Sequence, residues 1–150
     1  MTLSEDQVKN AVIPALAKLG FMPNKIKTLA EHGVDIVARH VKYSRYFLVE
    51  AKGDPKGVKN LNSGREVRFL QSVGQLVTRI NPKRGYYYGL AYPSSYKALV
   101  TRRLCAHLLK TLKIHLFFVD EECKVEHLTW RSLSRHKLAP RSGDGNRSSK

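Results

Sequence analysis

A chain of 150 residues with 42% hydrophobic content is the size of one ordinary domain and can bury a core without disulfides or a structural metal. Its 27 Lys and Arg against 12 Asp and Glu give a formal charge of +15, spread over the whole length, which points to a polyanionic partner. No apolar run approaches the roughly 20 residues that span a bilayer, residues 1–6 carry no basic-then-apolar leader, and two cysteines are too few for a disulfide framework or a zinc knuckle.

A soluble cytoplasmic protein with no membrane partner is therefore expected, with Cys105 and Cys123 reduced and structural. His32, His40, His107, His115, His127 and His136 show no HxH or HxxxH spacing, so no histidine metal cluster is expected.

Ser4-Glu5-Asp6-Gln7 has the form of a capping box, and Val8, Ala11, Val12, Ala15, Leu16 and Leu19 follow at helical spacing up to Gly20. Pro14 removes a backbone donor and crowds the Asn10 carbonyl, so a kink is predicted near residues 10–14. Three strands are predicted next, at 26–28, 34–41 and 46–51, the last two joined by a basic turn short enough for an antiparallel hairpin. Residues 53–62 form a charged loop with glycine and proline breaks.

A second capping box, Ser63-Gly64-Arg65-Glu66, predicts a helix over 64–80 with Val67, Leu70, Val73, Val77 and Ile80 inward. A strand at 85–92 holds Tyr86, Tyr87, Tyr88 and Tyr92, for which strand packing is a better account than base stacking. Ser94 or Ser95 then caps a third helix through Leu99, Val100, Leu104 and Leu108. A buried strand at 114–119, a short strand at 125–129 and a helical turn at 130–134 close a single domain over 1–140, and a disordered basic tail follows at 141–150. The resulting fold class is α/β, a mixed sheet flanked by helices, with a parallel crossover through the 64–80 helix.

Strand alternation puts Glu50 and Lys52 on one face, and Asp35 joins them if its strand pairs alongside. Two carboxylates and the backbone carbonyl of Ala51 offer the hard oxygen ligands that suit Mg²⁺, with Mn²⁺ as a substitute, and Lys52 can orient a water or neutralise developing charge. A plain Glu50–Lys52 salt bridge and a turn role for Asp35 account for the same residues. Lys56, Lys59, Lys83, Arg84, Arg102 and Arg103 are the candidate phosphate contacts.

Asp35 followed after 14 residues by Glu50-Ala51-Lys52, in a helix, three strands, helix, strand order, resembles the PD-(D/E)xK nuclease superfamily over residues 4–92. The segments Gly33-Val34-Asp35-Ile36-Val37-Ala38 and Phe47-Leu48-Val49-Glu50-Ala51-Lys52 are most similar to the branch holding archaeal-type Holliday junction resolvases and Mrr-like restriction enzymes. Val34 stands where that pattern usually has Pro.

The resemblance implies a restriction-endonuclease-like αβββαβ core with an αβ extension, metal binding by Asp35 and Glu50, and catalysis by Lys52. It makes Glu5 or Asp6, and Gln71 or Gln75, accessory candidates. It also implies a Mg²⁺-dependent DNA endonuclease, a homodimer addressing two strands, with no small-molecule cofactor. Structure-selective cleavage of junctions or branched DNA is the first expectation and restriction-type cleavage the second. A non-catalytic nucleic-acid-binding module and an RNA- or ribosome-binding protein are the alternatives from other classes.

Overall fold

The computed structural model describes residues 1–26 and 33–137. Helix α1 (Glu5–Lys18) starts at the predicted capping box, with Ser4 Oγ accepting from Gln7 N at 3.2 Å and Gln7 Oε1 accepting from Ser4 N at 2.8 Å. It is not broken at Pro14, whose ring is exposed. Strand β1 (Phe21–Ile26) begins earlier than predicted. It accommodates Pro23 because it is an edge strand whose register shifts between Pro23 and Lys25. The remainder of the strand predicted at 26–28 lies outside the described residues, as does the tail.

Strands β2 (Ile36–His40) and β3 (Tyr46–Ala51) form the predicted hairpin. Helix α2 (Leu61–Val77) crosses over to β4 (Tyr86–Pro93), which lies parallel to β3. A 3-10 turn (Ser94–Tyr96) and two short helices, α3 (Lys97–Arg103) and α4 (Ala106–Leu112), lead to β5 (Ile114–Val119), parallel to β4. Strand β6 (Val125–Leu128) returns antiparallel, and α5 (Trp130–Lys137) follows. The six strands stand in chain order, so the fold is the expected mixed α/β sheet flanked by helices, with β3 and β4 at its centre. Val8, Val12 and Leu16 of α1 pack on one face, and Phe69, Leu76, Val100 and Leu109 from α2, α3 and α4 on the other.

Helix α2 departs from its predicted form in two ways. Asn60 caps it, its Oδ1 accepting from Asn62 N at 3.0 Å and Ser63 N at 3.2 Å, so Ser63 falls inside the first turn. Its buried side chains are Phe69, Ser72 and Leu76, while Val67, Leu70 and Val77 point outward. Val73 and Ile80 do pack against the core. The inward side combines Phe69, Val73 and Leu76 with polar residues that have partners there. Ser72 donates to the Phe69 carbonyl at 2.8 Å and meets the Tyr92 hydroxyl, and Arg65 and Arg79 reach Asp54 and Glu50.

The single third helix becomes two because Leu104 and Cys105 are extended, and neither carries a side-chain cap. Both cysteines are exposed, so neither has the structural role expected. Tyr88 and Tyr92 are buried in the sheet, as strand packing requires. No helix among the described residues is long and apolar enough to cross a membrane.

Asp54, 5% exposed, clamps the end of β3 to its surroundings. Its Oδ2 accepts from Leu3 N at 2.9 Å and its Oδ1 from the Ser95 hydroxyl at 2.8 Å, while Arg65 lies 3.7 Å away. The backbone joins in, with Asp54 N donating to Leu3 O at 2.8 Å and Tyr96 Oη to Gly53 O at 2.9 Å. A Cβ on Gly53 would lie 2.4 Å from Glu5 N, so only glycine allows α1 to begin against this loop. Asp54→Ala strands the Leu3 donor and should cost about 2–4 kcal/mol. Urea unfolding should show a lower midpoint at unchanged slope, and an unmoved midpoint would refute the clamp.

His115 and His127, on adjacent strands, stack and share one N–H between Nδ1 and Nε2 at 2.7 Å. Burial, then the charge of His127, pushes His115 down to about 4, and burial lowers His127. The unfolded chain takes up a proton near pH 6.5 while the folded His115 resists until about 4, so stability is lost as pH falls through that window. A loss on the order of 2 kcal/mol is expected, discounted for partial exposure of the ring. Thermal melts of wild type and His115→Phe should diverge between pH 6.5 and 4.5, and parallel curves would contradict this assignment.

Candidate active site

β3 is flanked by an antiparallel and a parallel neighbour, and Glu50 near its end is only 1% exposed. Val37 pairs with Leu48 and Ile36 with Val49, so one further step sets Asp35 against Glu50. Leu48 and Val37 belong to the core beneath α2, and alternation therefore puts Asp35 and Glu50 on that same face. Asp35 is 4% exposed and its Oδ2 accepts from Ala51 N at 2.8 Å. The N–H and C=O of one strand residue point to the same side, so the Ala51 carbonyl also emerges beside Asp35. Lys52 follows on the Glu50 face, partly buried, with its N–H donating to Ala91 O at 3.0 Å.

Lys52 borders a cleft of about 530 Å³ between the start of α1, the loop after β3 and α2, lined also by Glu5, Pro55, Ser63, Arg68 and Gln71. Of the sequence-predicted residues, Glu5, Lys52 and Gln71 line this cleft, whereas Asp35, Glu50 and Ala51 are buried at the strand end behind Lys52 and do not line it. Gln75 is exposed and does not line this cleft, and Asp6 is exposed one residue beyond Glu5.

The candidate phosphate contacts are all exposed but do not form one ring. Lys56 and Lys59 stand on the cleft loop. Arg103 is held by Glu66. Lys83 and Arg84 precede β4 at the other end of the sheet, where Tyr46 pairs with Tyr86.

Two cations that sequence reasoning passed over complete the site. Arg79, just beyond α2, forms an ion pair with Glu50. Lys9, 2% exposed, lies 3.1 Å from Glu5 and 3.5 Å from Asp6. Burial alone would lower the Lys9 pKa, but its bond to Glu5 and the charges of Glu5, Asp35 and Asp6 raise it. The i,i+4 spacing of Glu5 and Lys9 was the available signal, masked because a helical apolar stripe does not anticipate a buried lysine.

The donor types suit a hard divalent cation, since two carboxylates and a carbonyl oxygen belong to one strand end. Among the described residues no three or more His, Cys, Asp or Glu side chains form a ready metal-binding group. Glu5 is directed to Lys9, so the fit is a two-carboxylate one, completed by the carbonyl and by water or phosphate oxygens.

No protein-family model matches the chain, and no curated protein matches it. Among solved structures the chain is similar to the crystal structure of an XisH family protein from Nostoc punctiforme, at 20% identity over 81% of this chain and 97% of that one, with a TM-score of 0.42. A likeness that loose assigns no chemistry.

Arg79→Met should leave Glu50 buried without its counter-charge and cost about 3–5 kcal/mol, whereas Arg79→Met with Glu50→Gln should recover most of the loss. Chemical unfolding of the two variants checks this. Equal stability of the single and double variants would show that the pair carries no such coupling.

Proposed function

We propose that this chain is a divalent-metal-dependent DNA endonuclease that hydrolyses phosphodiester bonds at the end of β3. The observation that carries the reading is the pair of buried carboxylates, Asp35 and Glu50, opposed across two strands with Lys52 next to them at the mouth of a cleft. A sheet does not bury two acids side by side for stability, because the desolvation cost is several kcal/mol per ion; active sites are where such groups collect.

Asp35, Glu50 and the Ala51 carbonyl would hold Mg²⁺, or Mn²⁺ in its place. When bound, the ion polarises the phosphorus centre and lowers the pKa of a coordinated water. Lys52 orients the attacking water and offsets the negative charge that builds on the phosphoryl oxygens. Arg68 and Gln71 on the cleft wall, with Lys56 and Lys59 on its loop, hold the DNA backbone, giving salt-sensitive affinity with little sequence preference. Arg79 must exchange its contact with Glu50 for this to proceed. Junctions and branched DNA are the favoured substrates, since cations that hold the backbone respond to the path of the strands rather than to their sequence.

A second reading, binding without cleavage, has one observation in its favour: Arg79 and Lys9 already neutralise the acids that a metal would need.

The deciding experiment incubates the protein with plasmid, single-stranded and four-way-junction DNA, with and without Mg²⁺, beside Asp35→Ala and Lys52→Ala. Cleavage should require the metal and fall by about 100-fold or more in either variant. Binding without cleavage under every condition would favour the second reading, and equal cleavage by all three proteins would remove the proposed site.

A further inference from the structure

Helix α2 has a second, unused face. Val67, Leu70, Gly74 and Val77 recur at spacings of three, four and three, which places them on one stripe roughly opposite Phe69, Ser72 and Leu76. The three large side chains are 55%, 54% and 49% exposed, and nothing lies within 4 Å of where a Cβ on Gly74 would stand. Residues 69–78 contain no charged side chain, although the chain as a whole carries +15. This stripe is therefore unsuited to a polyanion, which needs cations to meet it.

We propose that this face is the interface between two copies of the chain, joined through α2 paired antiparallel with α2 about a two-fold axis. The pattern of side-chain sizes carries the inference. Val67 and Val77 are equidistant from Ser72, and so are Leu70 and Gly74, so an antiparallel pairing centred there sets each Val67 against a Val77 and each Leu70 over a Gly74. The large residue of one copy enters the empty slot of the other, twice, as an isologous interface demands. Gln71 and Thr78 beside the middle and end of the stripe are polar but neutral, and the charged neighbours, Glu66 with its partner Arg103, stand beside Val67 at its other end.

Six half-exposed side chains at roughly 80 Å² each supply about 500 Å² of apolar area, around a third of a standard interface of about 1,600 Å². The polar flanks must furnish much of the rest, which makes the dimer reversible. Val67 also borders the cleft beside Lys52, so a second copy would form part of its rim. The proposal does not depend on the nuclease reading.

Charge sets the sign of the salt dependence. Two strongly positive copies repel, so added salt screens the repulsion and strengthens dimerisation, whereas it weakens nucleic-acid binding. Sedimentation velocity across a hundred-fold concentration range, at low and high salt, should show a monomer–dimer equilibrium that shifts to dimer with salt. Leu70→Lys should raise the dissociation constant tenfold or more. Gly74→Leu should do the same although it adds apolar surface, because it fills the slot, and its circular dichroism should be unchanged.

On a Cys105→Ser, Cys123→Ser background, Leu70→Cys with Gly74→Cys should give a disulfide-linked dimer, and Leu70→Cys alone should not. A monomer throughout the range, a dimer indifferent to both single variants, or a dimer tightened by Gly74→Leu would overturn the proposal.

Discussion

Two carboxylates buried on one face of a sheet need hydrogen-bond donors or counter-charges to offset their lost hydration, and much of this structure answers that constraint. Asp35 spends one oxygen on the Ala51 N–H, Glu50 is met by Arg79 from the far end of α2, and Lys9 sits under the start of α1 among Glu5, Asp6 and Asp35. Lys9 comes from α1 and Arg79 from just beyond α2, helices packed on opposite faces of the sheet. The electrostatic requirement of the strand end is thus also what fixes how α1 and α2 are set against it, with Asp54 fastening the loop between them.

This explains the orientation of α2, where the hydrophobic pattern misleads. Val67, Leu70 and Val77 lie outside, while the face with Phe69, Val73 and Leu76 turns inward, where Ser72, Arg65 and Arg79 also find their partners. Burying a polar group without a partner costs more than leaving a half-exposed valine in water. Tertiary partners decided the matter, and such partners are invisible to a periodicity count.

What was legible in the sequence follows the same division. Strand β3, strand β5, the Ser4 capping box and the parallel crossover all rest on local patterns, and they stand as predicted. The gathering of Asp35, Glu50, Ala51 and Lys52 followed from strand alternation plus one correct pairing. Illegible were the break at Leu104 and Cys105, which no glycine or proline marks, and the Asn60 cap, which displaced an equally good Ser63 signal by three residues. Lys9 and Arg79 were hidden for a simpler reason: a buried cation has no sequence signature apart from the acid it faces, and that acid is distant in the chain for Arg79.

The same arrangement that makes the site chemically plausible also makes it self-paired, since Arg79 and Lys9 occupy the acids in the absence of any other cation. In the proposed function Asp35 and Glu50 would hold a divalent cation, with Glu50 released from Arg79. Titration of Mn²⁺ into the protein, followed by the loss of the free-ion electron paramagnetic resonance signal with and without bound DNA, tests that claim most directly. Wild type should bind the ion, Asp35→Ala should lose that binding, and Arg79→Gln should bind more tightly than wild type. No binding by any of the three, or binding that Asp35→Ala leaves unchanged, would contradict it.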